Sequence, residues 1–290
     1  MNINGLEGRM LKYPQKKNPK QEILFIYGLH SSLEQYWGLI QVLHDLGSVT
    51  VPDLPGFGGM SSFYKIGKKP SLDNLADYLA SFVRMQYKKR PVIYIGMGFG
   101  FIVITRMLQK YPAMTKNVKL VISLAGYADH DDFKMNLAKQ RSYLVASNFS
   151  STRISALILR KLLTSTALVR YIYPSLKLND SIETEDYNKI IDQEKILWQK
   201  NDLKTYMFVV NQLLSFTNCE RRVNLMVWHL IPKNDRFLDH ARVEQHIKIV
   251  FKDYRSIPIK ANFNIPFYIK DKKQANLMLP KELKKAIKAL

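Results

Sequence analysis

Residues 91–101 read Pro91-Val92-Ile93-Tyr94-Ile95-Gly96-Met97-Gly98-Phe99-Gly100-Phe101. An apolar run of strand length passes through three alternate glycines into a second apolar run that stops short of Pro112. Glycine enters backbone conformations that strain other residues, so alternate glycines between two apolar runs mark a sharp, closely packed turn. The pattern predicts a buried strand over 92–95 and a helix from 99 to about 109. A dinucleotide-binding fingerprint does not fit. Its third glycine would fall at Phe101, and no acidic residue ends the strand that follows.

Outward from this stretch, residues 22–27 form a short apolar run closed by Gly28, as expected of a strand buried on both faces. Residues 48–51 repeat the pattern and end at Pro52 and the Pro55-Gly56 turn. A helix follows, with Ser71 as its N-cap and Leu72, Leu75, Leu79, Phe82 and Val83 at helical spacing. Residues 118–124 supply another strand. Strands alternating with helices at these lengths predict a parallel sheet with right-handed crossovers.

The pattern changes between residues 128 and 218. Strand signals give way to helical stripes such as Ile154, Leu157, Ile158 and Leu162, then Leu168, Tyr171 and Ile172. This stretch reads as a helical cap inserted into a sheet domain made of residues 1–127 and 219–290. The sheet resumes at 223–228. Val243, Ile247, Val250, Phe251 and Tyr254 predict a helix over 240–254, which leaves a last strand for 256–269. Residues 280–290 form an amphipathic terminal helix whose apolar face is expected to pack on the sheet rather than lie on a membrane.

Composition narrows the class. At 290 residues and 47% hydrophobic, the chain suits one α/β domain with an insertion. The only cysteine, Cys219, rules out an internal disulfide and fits a cytoplasmic setting. The first twenty residues lack the apolar core of a secretory signal. No uncharged run is longer than 91–105, which is too short to span a bilayer as a helix. The 44 Lys and Arg against 24 Asp and Glu give a net charge of +20. That excess either serves an acidic partner such as an anionic surface or is compositional, and the scatter of basic residues along the chain favours composition. No basic motif interleaved with aromatics points to nucleic acid.

Four segments carry a resemblance. They are 23–32 (Ile-Leu-Phe-Ile-Tyr-Gly-Leu-His-Ser-Ser), 52–61 (Pro-Asp-Leu-Pro-Gly-Phe-Gly-Gly-Met-Ser), 96–100, and 232–237 (Pro-Lys-Asn-Asp-Arg-Phe). In order and spacing they resemble the α/β-hydrolase superfamily, in its capped esterase, lipase and aminopeptidase-like branch. The resemblance implies a mostly parallel sheet with helices on both faces and an inserted helical cap. It also implies a Ser, acid, His triad in chain order, with the Ser at the centre of the Gly-x-Ser-x-Gly turn.

The chain departs from that pattern. Gly98 stands at the nucleophile position, Asp235 at the acid position, and no histidine follows His246. Tyr27 replaces the first-turn His of the family. A serine-less elbow also occurs in the N-myc downstream-regulated family, which has this fold and is non-enzymatic; the likeness to it is confined to the elbow. By the resemblance, the oxyanion-hole amides fall on Leu29 and Phe99, where a carbonyl or carboxylate could bind without being cleaved. His30 and His240 are candidates for a relocated base, and Ser31, Ser32 and Ser61 for a relocated nucleophile. Asp235 is either a vestigial acid or the cap of the next turn. Asp129-His130-Asp131-Asp132 reads as a helix start rather than a metal site, and no cofactor is implied. The expected function is a catalytically silent protein that binds a small ligand or a protein partner in the former active-site cleft. The competing readings are an active esterase, lipase or peptidase with a rewired site, and a basic peripheral protein on anionic lipid or nucleic acid.

Overall fold

The computed structural model describes residues 1–15, 21–165, 184–233, 235, 237–260, 269 and 271–290; for 153 and 184–190 it describes the backbone alone. The strands in chain order are β1 (Asn2–Ile3), β2 (Leu6–Glu7), β3 (Met10–Tyr13), β4 (Glu22–Ile26), β5 (Ser48–Pro52), β6 (Val92–Met97), β7 (Val118–Leu124), β8 (Val223–Pro232) and β9 (Phe251–Ile259). The helices are α1 (Trp37–His44), α2 (Leu72–Tyr87), α3 (Phe99–Lys110), α4 (Leu137–Ser150), α5 (Arg153–Thr164), α6 (Thr184–Lys200), α7 (Leu203–Leu213), α8 (His240–Val250), α9 (Lys272–Met278) and α10 (Lys281–Ala289).

The first two strands form a separate hairpin, and the other seven make one sheet in the order β3-β5-β4-β6-β7-β8-β9. Only β3 runs antiparallel to its neighbour; every other pairing is parallel. Side chains alternate across a strand, so a strand covered on both sides must be apolar throughout. In β4, Ile23 and Phe25 join the core on one face, while Leu24 and Ile26 join the core on the other. The first face packs against α1, α9 and α10. The second packs against α2, α3 and α8 through residues such as Leu79, Ile102 and Ile247. Ser71 caps α2 as its sequence predicts, accepting from the Asn74 amide at 3.2 Å.

The terminal helix packs on the sheet: Leu283 and Ile287 are fully buried beside Trp228, Ile257 and Ile259. The C-terminal strand corrects the sequence reading. The helix expected over 240–254 ends at Val250, and the last strand starts at Phe251 rather than within 256–269. The cause is tertiary. Phe251 pairs with Val223 of β8 and stacks on Phe101, so the apolar spacing that read as one more helical turn serves a strand instead. Residues 261–268 of the expected strand lie outside the described residues.

Between β7 and β8 the described residues hold α4, α5, α6 and α7 and no strand. The chain leaves and re-enters this stretch side by side. The Asn218 amide donates to the Ala128 carbonyl at 3.0 Å, the His130 amide donates to the Phe216 carbonyl at 3.1 Å, and Asp129 forms an antiparallel bridge with Thr217.

Candidate functional site

The turn between β6 and α3 has the geometry of a strand-to-helix elbow. Gly98 sits at φ +48°, ψ −114°, and its amide donates to the Leu124 carbonyl on β7 at 3.0 Å. The three glycines there answer to different constraints. A Cβ on Gly96 would lie 2.4 Å from Cα of Phe101, and one on Gly100 would lie 2.2 Å from the Ile26 carbonyl oxygen. A Cβ on Gly98 would meet nothing nearer than the Ala125 carbonyl at 4.0 Å. The outer glycines permit close packing of helix on strand. The central one holds a strained dihedral and faces open space. The turn therefore retains its shape and lacks its side chain. Phe99 follows as the first residue of α3, where helical amides have no partner inside the helix. Phe101 fills the core beside Phe251, and the Phe99 ring lies 6.0 Å from that of Phe57.

The turn after β4 is held by buried polar contacts. Tyr27, in the place of a histidine, donates its hydroxyl to Asp53 Oδ1 at 2.5 Å. Arg9 Nε donates to Asp53 Oδ2 at 2.6 Å and to the Gly58 carbonyl at 2.9 Å. Burial pushes the Asp53 carboxyl up to about 6, against the pull of the Tyr27 hydroxyl and the Arg9 guanidinium, and burial also drives the Tyr27 phenol well above its ordinary range. The Asp-x-Pro-Gly loop is thus fastened to the turn by a buried polar cluster.

His30 stands at φ +53° with both ring nitrogens occupied. Nε2 lies 3.0 Å from Glu194 Oε2, and Nδ1 lies 3.4 Å from Asn201 Nδ2. The Asn201 amide is oriented by its other end, because Oδ1 accepts from the Gly58 amide at 2.8 Å. The Asn201 amide nitrogen therefore donates to Nδ1, which leaves the proton on Nε2, facing Glu194. Such an imidazole has no free nitrogen to take a proton from a nucleophile. Trp198 and Tyr206 close around the ring. His30 joins the β4 turn to α6 and α7. Further ties run alongside: the Asp202 amide to the Gly56 carbonyl at 2.8 Å, and Ser62 Oγ to Thr205 Oγ1 at 2.8 Å.

Asp235 proves to be both a cap and a partner of histidine. Its Oδ1 accepts from the Phe237 and Leu238 amides at 2.8 and 3.0 Å, and its Oδ2 lies 3.3 Å from His240 Nε2, off hydrogen-bond alignment. Burial alone would raise this carboxyl, but His240 and the two amides hold it below its ordinary value. Both His240 nitrogens are shut away from solvent, which removes this histidine too as an accessible base. Of the serine candidates, Ser31 accepts from the Tyr36 hydroxyl at 2.9 Å, Ser32 precedes a 3-10 turn with Gln35 on its amide, and the Ser61 amide donates to Glu7. No serine oxygen among the described residues is paired with His30 or His240.

No local motif joins Ser123 to His229. They meet on adjacent strands, Oγ to Nδ1 at 2.9 Å, fully buried. Burial, then the nearby His240, pushes His229 down to about 3. The signal was present as a lone histidine inside the apolar run Trp228-His229-Leu230. Glu194 and Asn201 gave no such signal. Where the sequence reads as a helix start, Asp129 caps only a three-residue 3-10 turn, His130–Asp132, and Asp129 and Asp132 are buried. Ligand atoms of Asp129, His130 and Asp131 lie within 4.8 Å of one another, and capping accounts for that closeness.

Beneath α4, α5 and α7 lies a cavity of about 760 Å³. Its walls are mainly apolar, with Tyr127, Tyr206, Met207, Val210 and Leu213 prominent, and its polar spots include His30, Ser31, Gln35 and Glu194. Leu29, His30 and Ser31 are thus brought to one wall, whereas Gly98 and Phe99 are not among the described residues that line it.

No family model matches the chain. No curated protein matches its sequence. Among solved structures, the enol-lactonase from Burkholderia xenovorans LB400 is similar at 12% identity and TM-score 0.68 over 98% of this chain and 96% of that one. The Bacillus megaterium epoxide hydrolase is similar at 15% identity and TM-score 0.65 over 96% and 97%. The thermophilic esterase from Thermogutta terrifontis is similar at 12% identity and TM-score 0.63 over 98% and 92%. The chain has the α/β-hydrolase fold. At such identities the likeness extends to the fold and no further.

Proposed function

We propose that this chain is a non-catalytic α/β-hydrolase-fold protein that holds an apolar small molecule in the cavity beneath a cap formed by residues 128–218. The observation that carries the reading is an elbow with no side chain at its centre, Gly98, in a chain that holds a cavity of ligand size, about 760 Å³, with Leu29, His30 and Ser31 on its wall. His30 is engaged at both nitrogens and His240 is closed to solvent, so neither supplies the missing base. Loss of a whole triad costs roughly 10⁶ in rate, while binding and oxyanion donors alone leave roughly 10³–10⁴ over water. The cavity's apolar walls with a few polar groups on one side suit a ligand with an apolar body and one polar end.

Two measurements test this. The wild type and Gly98→Ser are assayed on nitrophenyl esters of several chain lengths. Neither should turn over, because a serine hydroxyl without an imidazole keeps its proton at neutral pH. Saturable hydrolysis by either protein rejects the non-catalytic reading. A fluorescent medium-chain fatty acid is then titrated into the wild type and Val210→Trp. Saturable one-to-one binding that the tryptophan weakens at least about tenfold supports the cavity. Equal binding by both proteins rejects it.

A further inference from the structure

Residues 133–165 contain six basic residues, Lys134, Lys139, Arg141, Arg153, Arg160 and Lys161, and no acidic one. The same stretch concentrates exposed apolar surface. Of the sixteen exposed large hydrophobic residues among the described residues, eight fall between Leu137 and Leu162. They follow helical stripes. Leu137, Val145 and Phe149 run along α4 at spacings of eight and four, with Arg141 in the gap, and Ile154, Ile158 and Leu162 run along α5. Phe149 is 72% exposed and Ile154 74%, values a packed helix does not show. Phe149, Ile154, Ile158 and Leu162 line one outward groove of about 420 Å³.

We propose that the α4–α5 face is a docking surface for an anionic lipid bilayer, with the aliphatic stripe set among the acyl chains and the basic residues at headgroup level. The inference goes beyond the cavity reading and does not depend on it. An exposed apolar stripe whose own helices carry only Lys and Arg as charged residues is the pattern of a membrane interface, and Asp202 stands at its margin, beside Leu157 and Arg160. Long basic side chains reach the headgroups while their stems cover apolar surface. The charge argues against a second copy of this chain as occupant, since α4 and α5 carry basic residues and no acidic one, and two such faces would set like charges together. A nucleic acid would meet aliphatic side chains where stacking aromatics are needed. The groove shares Ser150 and Leu159 with the interior cavity, so a docked face places the bilayer one wall away from it.

The test is flotation of the full chain with phosphatidylcholine vesicles, with and without about 30% phosphatidylglycerol, at low and high salt. Three double variants are compared with the wild type. Ile154→Glu/Ile158→Glu breaks the stripe. Arg141→Glu/Lys161→Glu reverses charge at two exposed positions on the face. Lys68→Glu/Lys69→Glu makes the same charge change at exposed positions elsewhere. The expected result is binding to the anionic vesicles only, lost as salt rises from about 50 to about 500 mM. Both variants on the face should weaken it at least about tenfold, and the distant variant by less than about threefold. Equal weakening by both charge-reversal pairs means that net charge alone drives binding, and overturns the proposal. So does full binding by the stripe variant, or an absence of binding by the wild type. Gel filtration and thermal melts of the same proteins close the other routes. A wild-type dimer made monomeric by Ile154→Glu/Ile158→Glu assigns the face to a second copy. A melting temperature lowered by many degrees in that variant assigns it to the chain's own interior. Either outcome overturns the proposal.

Discussion

Gly96, Gly98 and Gly100 share one motif and differ in what each would lose to a side chain. Gly100→Ala drives a methyl against the Ile26 carbonyl at 2.2 Å, with backbone on both sides and nothing to rotate away. It should yield little folded protein. Gly98→Ala meets open space and bears only its dihedral, about 1–3 kcal/mol. Urea unfolding of the three alanine variants should rank Gly98 as much the mildest; a cost at Gly98 equal to that at Gly100 would show the elbow to be closed. His229 offers a second test at this scale. Its folded value is about 3 against an ordinary 6.5, so the unfolded chain takes up a proton that the folded chain refuses. The contribution is complete above about pH 6.5 and is lost as pH falls toward 3, reaching about 2 kcal/mol by pH 5. His229→Gln, which can keep a hydrogen bond to Ser123, should lose less stability than the wild type between pH 7 and pH 5 in urea midpoints. Gly98 and Asp235 were legible because they occupy fixed places in local motifs. The closing of His30 was not, because its partner Glu194 lies 164 residues away and no local rule connects them.

At the scale of elements, legibility followed burial. β4 and β6 are covered on both faces and are apolar from Ile23 and from Val92 onward, and β7 departs from that only at Lys119 and Ser123, so their sequence and their environment agree. β9 is an edge strand with one partner. Lys252, Asp253, Arg255 and Ser256 break its apolar pattern, while Phe251 and Tyr254 continue the spacing of the helix before it. The helical period therefore ran on past the end of the helix. The terminal helix shows the opposite case, where a strongly two-sided pattern admitted both a lipid and a protein partner. Its apolar side is spent on the sheet, with Leu283 and Ile287 fully buried. Leu283→Ala should therefore cost about 2–5 kcal/mol in urea unfolding, as for a core leucine. A loss below about 1 kcal/mol would place that helix on the surface.

At the scale of the whole molecule, a net charge of +20 repels itself. Salt shortens the reach of that repulsion from about 30 Å near 10 mM to less than 10 Å near 200 mM. The melting temperature should rise by a few degrees over that range, and a fall would show that attractive ion pairs dominate. The same ions should detach the protein from anionic vesicles, so one titration is expected to move the two observables in opposite directions. No helix among the described residues is long and apolar enough to cross a membrane.

The bond between Ala128 and Asn218 has a consequence for the history of such a chain. Where a polypeptide departs and returns at neighbouring points, whatever is strung between them is a side branch of the main path. It can grow, shrink or be exchanged by recombination while every strand keeps its register, because the two ends never need to move apart.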